Sequence, residues 1–531
     1  MTTPTAPHPS TVLDDTSVLI PDVFEVHGRS QPDKDAVVCG PVRRRWGDFS
    51  ANINRVANAL HARGIGAGHS VAVLMGNSVE ILEVMFGVVR AGACVVPLSG
   101  LLTGEQLATL IADSDAVMLF ATADFNARLG QHRAQCPQLR ADGCIAVFHE
   151  SPGWVGFDHF LAGAASTPPQ ANCDAALPFN IIYSSGTTGL PKGIVQSHRT
   201  RSHWAMFNAI EQGFGEHSRA LTTTALYSNG TWLTMLPALF VGATCVVMPA
   251  FDPREFLATV QREKITHTFM VPSQFLMVLS QPDVDQFDHS SLQTLLCAGS
   301  PLRRDTKREL IQRFGNKLIE LYGFSEGFGA MLKPAQHAHR FDSVGRPVIG
   351  CEVCILDDAG NVLPAGEIGE IAGYGAGMMA AYHRRPEQTA ALIWRDARGR
   401  SWIRSGDLGK LDAQGYITLV DRKKDMIISG GFNVFPTDIE AIVGGHPDVL
   451  DVTVIGIPHE KWGETALALV IPKAGRTPDA AALMAWANER LARHQRLGAV
   501  AFRDDFPRNA LGKVLKRLLR EPYWTAAGRV L

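Results

Sequence analysis

No stretch of the 531 residues reaches the roughly 18 consecutive apolar positions that a membrane-crossing helix needs. The opening segment MTTPTAPHPSTVLDD lacks the charged-then-apolar pattern of a secretory signal, and the final RVL is not a peroxisomal address, so a cytoplasmic protein is expected. Charge of one sign is also missing. With 50 Lys and Arg against 52 Asp and Glu, the formal net charge is −2, which leaves no field to draw nucleic acid or an anionic membrane; small ligands are expected instead. Neither GKS nor GKT occurs, which argues against an ordinary P-loop ATPase. The nine cysteines, an odd number scattered from Cys39 to Cys354, form no recognisable disulfide framework and suit a reducing compartment. The one CxxC, Cys351 and Cys354 in the alternating run VIGCEVCILD, puts its sulfurs on opposite faces of a strand, and no second pair exists to complete a zinc site.

What is present begins with YSSGTTGLPKG, Tyr183 to Gly193. The apolar run Phe179 to Tyr183 reads as a buried strand, and the loop that follows sits where α/β proteins hold ligands. Gly186, Gly189 and Gly193 let the backbone approach an anion; Ser184, Ser185, Thr187 and Thr188 add neutral donors, and Lys192 adds a mobile positive charge. In chemical terms this is a phosphate cradle, although a flexible surface turn has the same composition.

The rest of the chain alternates between helical and strand periodicity. Phe49, Ile53, Val56, Ala57 and Leu60 fall at helical spacing; Ser70 to Met75 reads as a strand, Ser78 to Arg90 as a helix, and Ala116 to Phe120 as another strand. Thr103 with Gln106 three residues later is a capping box. An α/β fold with a large parallel-sheet body is implied. The Ala/Pro/Ser-rich stretch 161–178 reads as a loop, and from Gly345 to Val420 short strands and turns dominate. Beyond DRKKD, Asp421 to Asp425, a small α+β unit is predicted: strands near 451–457 and 466–472, a helix over about 480–493 and a strand near 499–503.

Five motifs stand in a fixed order: SSGTTGLPKG at 184–193, YGFSE at 322–326, SGDLG at 405–409, DRKKDMIISGGFNVFP at 421–436 and PRNALGK at 507–513. On these the chain resembles, from about residue 20 to 520, the superfamily of AMP-forming acyl-CoA synthetases, peptide-synthetase adenylation domains and firefly luciferase. The resemblance implies a large N-terminal adenylating domain, 1–421, and a small mobile C-terminal domain, 422–531, carrying the catalytic lysine and the CoA tunnel. It implies ATP, Mg²⁺ and CoA as cofactors, a carboxylic acid substrate, no nucleic-acid partner, and leaves room for a homodimer.

The implied roles make chemical sense. A carboxylate is a poor electrophile until it attacks the α-phosphorus of ATP, expels pyrophosphate and becomes an acyl adenylate. The Gly/Ser/Thr loop and Lys192 would hold the departing phosphates, and Glu326 would hold the Mg²⁺ that neutralises them; a lone glutamate is otherwise an ordinary solvated side chain. Tyr322 and Gly323 in YGFSE would face the adenine, Ser325 would donate its hydroxyl to the α-phosphate, and Gly299, Ser300 and Pro301 would line the adenine pocket. Asp407 would accept both ribose hydroxyls, and Arg422 would add a second contact. Lys513 would bridge carboxylate and α-phosphate during adenylation. For the second half-reaction Gly430 and Gly431 would line a pantetheine tunnel, with Trp462 and Arg496 as candidates for the CoA nucleotide, competing with core packing and surface charge. Lys424 would be the hinge between the two half-reactions.

The segment Ala225 to Phe240 is expected to line the acyl pocket and carries no charge, so an apolar aliphatic or aromatic acid fits. Ser228 stands where amino-acid-activating relatives have an aspartate and many acyl-CoA relatives a histidine; Tyr227, Asn229 and Trp232 complete the pocket candidates. Serine cannot pair a buried ammonium, which disfavours amino acids. An acid–CoA ligase is the reading adopted; an enzyme loading a carrier-protein thiol, or an inactive nucleotide-binding relative, are the alternatives.

Overall fold

The computed structural model describes residues 17–170, 173–184, 191–508 and 512–527. Local signals decide its helices. Trp46–Ala62 turns Phe49, Ile53, Val56, Ala57 and Leu60 into the core. Val79–Arg90 is opened by Ser78, whose hydroxyl accepts from the Ile81 N–H at 3.3 Å. At Thr103 both halves of the capping box form: the Gln106 N–H donates to the threonine hydroxyl at 3.3 Å and the Thr103 N–H donates to the Gln106 side chain at 3.0 Å.

Two large sheets follow from this alternation. In the first, Ser70–Leu74, Cys94–Pro97, Ala116–Thr122, Cys144–Val147 and Pro178–Tyr183 run parallel, and Gly193–Ser197 and Ala381–Tyr382 extend one edge antiparallel. In the second, Asp35–Cys39, Thr244–Val247, Arg219–Thr222, His267–Met270, Thr294–Cys297 and Leu318–Gly323 are parallel. A continuous buried cluster from Val71 and Phe86 through Trp46 to Trp232 and Val247 welds the two sheets into one body. A third, antiparallel sheet contains Cys351–Leu356, Gly369–Gly375, Ser401–Leu411 and Ile417–Arg422, the strand-rich segment expected from the turns there. Cys351 and Cys354 lie on its first strand, both thiols free, and no cluster of three metal-ligating side chains occurs among the described residues.

The C-terminal part has a core of its own, in which Ile427, Val434, Ile439, Val454, Ala468 and Leu483 pack together. Its main strands are Val449–His459 and Gly463–Pro472, with Leu497–Phe502 parallel to the latter. The helix expected over 480–493 is shorter, Ala480–Asn488. The Asn488 amide donates to the Leu497 carbonyl and accepts from its N–H, which pulls the chain out of the helix toward the next strand. Three elements of this part escaped the sequence reading: the hairpin Ile427–Ser429 with Phe432–Val434, and the helices Pro436–Val443 and Lys516–Ala526.

Candidate active site

The N-terminal candidates gather at the carboxyl ends of parallel strands, where α/β sheets offer ligands exposed backbone. Tyr183 ends one strand and pairs with Gly193, and the Ser184 N–H donates to the Lys192 carbonyl at 3.0 Å, closing the base of the Gly/Ser/Thr loop. Ser185, Gly186, Thr187, Thr188 and Gly189 lie outside the described residues. In the second sheet, Gly299, Ser300 and Pro301 follow the strand ending at Cys297, with Gly299 at φ +96°, and Tyr322 and Gly323 end the adjacent strand.

Hydrogen bonds join the two sheets at this edge. Gln196 donates to the Ser325 carbonyl at 3.0 Å, and Asn229 donates to the Ser325 hydroxyl at 3.1 Å. The Tyr382 hydroxyl donates to Glu326 Oε1 at 2.7 Å, while Lys192 Nζ stands 4.8 Å from the centre of the same tyrosine ring. Lys192 and Glu326 are thus brought together through Tyr382, a residue the sequence reading missed. Burial and the neighbouring Glu326 push its phenol above the usual range, so it stays protonated and can only hold the carboxylate as a donor.

Asp407 is fixed from three sides. Its N–H donates to Ser405 Oγ at 3.0 Å, its Oδ2 accepts from the Tyr322 hydroxyl at 2.9 Å, and its Oδ1 lies 3.4 Å from Arg422 Nε across the paired strands. Tyr322 is buried, so its hydroxyl serves Asp407. A cavity of about 350 Å³ opens here, lined by Ser405, Gly406, Asp407, Arg422, Lys423 and Lys424. Another of about 360 Å³, lined by Asp33, Lys34, Arg45 and Arg219 among others, shares no residue with the motifs.

Lys513, from the C-terminal part, is within electrostatic reach of Asp407, Arg422 and Lys424, which line this cavity. Its ammonium is pushed down to about 7 by burial and by Arg422 and Lys424, against the opposing pull of Asp407 and Asp425. The approach is held in place by neighbours. Gly512, at φ +72°, packs on Ser273 of the N-terminal body, where an added Cβ would sit 3.0 Å from the Ser273 hydroxyl. Arg508 donates to the Gly512 carbonyl at 3.0 Å and to Asp451 Oδ2 at 2.6 Å, while Arg303 of the body donates to the other Asp451 oxygen and to the Leu450 carbonyl. Asp451 therefore clasps both parts of the chain.

These side chains sit inside a recognisable frame. Residues 24–383 match the AMP-binding enzyme family, and residues 438–513 match the AMP-binding enzyme C-terminal domain. The chain belongs to the AMP-binding enzyme family. It is 34% identical over 501 residues to an indoleacetate–CoA ligase of Aromatoleum aromaticum, covering 93% of this chain and 96% of that one. A feruloyl-CoA synthase of an Amycolatopsis species is 34% identical over 499 residues, covering 93% and 97%. Among solved structures, an anthranilate CoA ligase in complex with anthranoyl-AMP superposes with a TM-score of 0.87 at 26% identity, covering 98% of this chain and 100% of that one. ATP-bound MatB from Rhodopseudomonas palustris gives 0.86 at 28% identity, covering 95% and 99%.

The remaining candidates of this AMP-binding enzyme form two further groups. Ser228 and Trp232 are buried and Tyr227 half-buried; Trp232 donates its indole N–H to the Leu226 carbonyl at 2.8 Å and packs on Phe179. Gly430 and Gly431, at φ +57° and +85°, make the two-residue turn of the C-terminal hairpin, as left-handed geometry at both positions requires. Trp462 covers Gly430 so closely that an added Cβ would lie 2.8 Å from its ring, and the Gly430 N–H donates to the Trp462 carbonyl. Arg496 is exposed two residues beyond His494, whose ring stacks on Phe432 at 5.5 Å. The thiol-side candidates thus cluster around their own hairpin, apart from the Asp407 cavity. Lys424 is exposed in the turn between the two parts, its carbonyl accepting from Arg520 at 3.1 Å.

Proposed function

We propose that this AMP-binding enzyme joins an apolar aliphatic or aromatic carboxylic acid to CoA through an acyl adenylate, releasing AMP and pyrophosphate. The observation that supports the reading best is the buried Lys513, which interacts electrostatically with Asp407 and Arg422 from the far end of the chain. Asp407, with both oxygens directed by Tyr322 and Arg422, suits the paired ribose hydroxyls, and the protonated Lys513 would hold the acid carboxylate against the α-phosphate, lowering the barrier chiefly by orientation. Ser325 would donate to the same phosphate. Lys192, kept over Tyr382, would follow the β- and γ-phosphates as they leave.

The donor set also fits Mg²⁺ arriving with the triphosphate: Glu326 is a single carboxylate oriented by a permanent donor, and a phosphate-borne ion needs no more from the protein. When bound, the ion would offset phosphate charge. Gly430 and Gly431 would admit the pantetheine arm, with Trp462 and Arg496 beside its entrance. We divide the chain into an N-terminal domain, 1–421, and a C-terminal domain, 422–531, with Lys424 as the pivot, and place the enzyme in the cytoplasm, where nine free cysteines are at ease.

The test is acid-dependent pyrophosphate release across fatty, aryl and branched acids, with and without CoA. Release with phenylpropanoate but not phenylalanine, and thioester formation only with CoA, is expected. Comparable turnover of the two acids would refute the pocket assignment, and a thioester formed only on a carrier protein would replace CoA as the acceptor.

A further inference from the structure

The helix His198–Gln212 carries a charge into the interior beside the proposed acyl pocket. Arg201 is fully buried, and among the described residues no carboxylate pairs with it. Its Nε donates to Asn180 Oδ1 at 2.7 Å, its Nη2 donates to Asn229 Oδ1 at 2.8 Å, and its Nη1 meets no protein acceptor. Two indoles hold it flat, with the guanidinium carbon 4.5 Å from the Trp232 ring and 5.1 Å from the Trp204 ring. Burying a cation without a counter-charge is costly, and a methionine or leucine would fill the space without that cost. The position calls for a property that only a permanent cation supplies.

That property is direction. A guanidinium donates and never accepts, so the Asn229 oxygen must face Arg201 and the Asn229 NH₂ must face away. The NH₂ points at Ser325, and it donates to the hydroxyl oxygen at 3.1 Å. A hydroxyl that accepts from Asn229 keeps its own hydrogen for another partner. A neutral residue at 201 would allow the amide to turn over, and the reversed amide would take the serine hydrogen for itself.

We propose that Arg201 and Asn229 are positioning residues that set the Ser325 hydroxyl as a donor toward the anionic oxygens of the reacting carboxylate and α-phosphate. The inference rests on reading Ser325 as the hydroxyl that faces the α-phosphate. Burial lowers the guanidinium only to about 9, so the cation persists throughout the physiological range. Arg201 stands outside the segment Ala225 to Phe240 and meets it through Asn229 and the Trp232 ring, which explains why the pocket reads as uncharged along the sequence.

Asn229→Asp is the decisive variant. Aspartate keeps the shape and gives Arg201 a counter-ion, but it can only accept, so the Ser325 hydrogen is drawn back to it. Acid-dependent ATP–pyrophosphate exchange should fall about 10²-fold in kcat, the scale for losing one aimed donor, with KM for ATP within about threefold and a thermal midpoint at or above that of the parent. In a Ser325→Ala background the same substitution should cost nothing further. Arg201→Gln, which frees the amide to turn over, should lower kcat in the same direction. If Asn229→Asp exchanges normally while Ser325→Ala is impaired, or if Asn229→Asp is equally damaging without Ser325, the relay is wrong. If Ser325→Ala exchanges normally, the reading of Ser325 itself has failed, and the inference with it.

Discussion

Lys513 offers a quantity that can be measured before any chemistry occurs. Its pKa is pushed down to about 7 from an ordinary 10.5, because burial and the cations Arg422 and Lys424 outweigh Asp407 and Asp425. At about 1.4 kcal/mol per tenfold change, that lowering sets the cost of charging this lysine at up to about 5 kcal/mol, less what solvent contact screens. The folded pKa is lowered, so the unfolded chain binds more protons between about pH 7 and 10.5, and this group's contribution to stability improves as pH rises through that window. A bound triphosphate adds negative charge beside the ammonium and raises its pKa back toward the ordinary value. Nucleotide binding should therefore take up about 0.9 proton at pH 8, about 0.5 at pH 7 and about 0.1 at pH 6, the deprotonated fractions of a group with pKa near 7. Titration calorimetry with a non-hydrolysable ATP analogue, repeated in buffers of different ionisation enthalpy, reads the proton count directly. Lys513→Met should abolish the uptake at pH 8. An uptake below about 0.2 proton at pH 8, or one that survives the methionine variant, would refute the placement of this lysine against the phosphates.

Four further outcomes are expected. Lys424→Pro should keep pyrophosphate exchange and lose most thioester formation, because proline fixes φ at about −65° at the proposed pivot, whereas Lys424→Ala should change both modestly; equal damage from both substitutions would refute a pivot at Lys424. Tyr382→Phe keeps the ring under Lys192 but removes the donor to Glu326, so the Mg²⁺ needed for half-maximal exchange should rise about 10-fold or more, the usual scale for losing an outer hydrogen bond to a ligand. Asp451→Asn unfastens Arg303 and Arg508, and since the clasp is partly exposed, adenylation should fall only about three- to tenfold while thioester formation from supplied acyl adenylate holds or improves. Gly430→Ala drives a methyl group against Trp462 at a left-handed position, and should depress thioester formation while sparing exchange.

Features set by neighbours in the chain could be read from the sequence. The Thr103–Gln106 box spans three residues, the strand ending at Tyr183 is an apolar run, and the core face of Trp46–Ala62 repeats at helical spacing; each forms as expected. What depends on distant partners could not. Tyr382 lies 56 residues from Glu326 in a two-residue strand with no pattern of its own. Arg303 and Asp451 are 148 residues apart, and either alone is an ordinary surface charge. Lys516–Ala526 was missed because proline at 522 and a dense run of charge mask its periodicity. The motif residues were legible because they sit in short runs of unusual composition, while the side chains that aim them are scattered through the fold.

The distribution of thiols has a chemical consequence of its own. An acyl adenylate is a mixed anhydride, an acylating agent released inside a protein that holds nine cysteines, all of them free. Cys297, two residues from Gly299, is buried with its ionisation pushed far up, and Cys94 and Cys245 are likewise buried and pushed up to about 12. A protonated thiol is a poor nucleophile. These thiols are thus quiet toward an acyl adenylate, whereas the Lys513 amine is largely neutral above pH 7. Under the proposed roles, the cation that would align the reactants would also be the group most open to being acylated by them, so moving it away promptly after adenylation would protect the enzyme as well as complete the reaction.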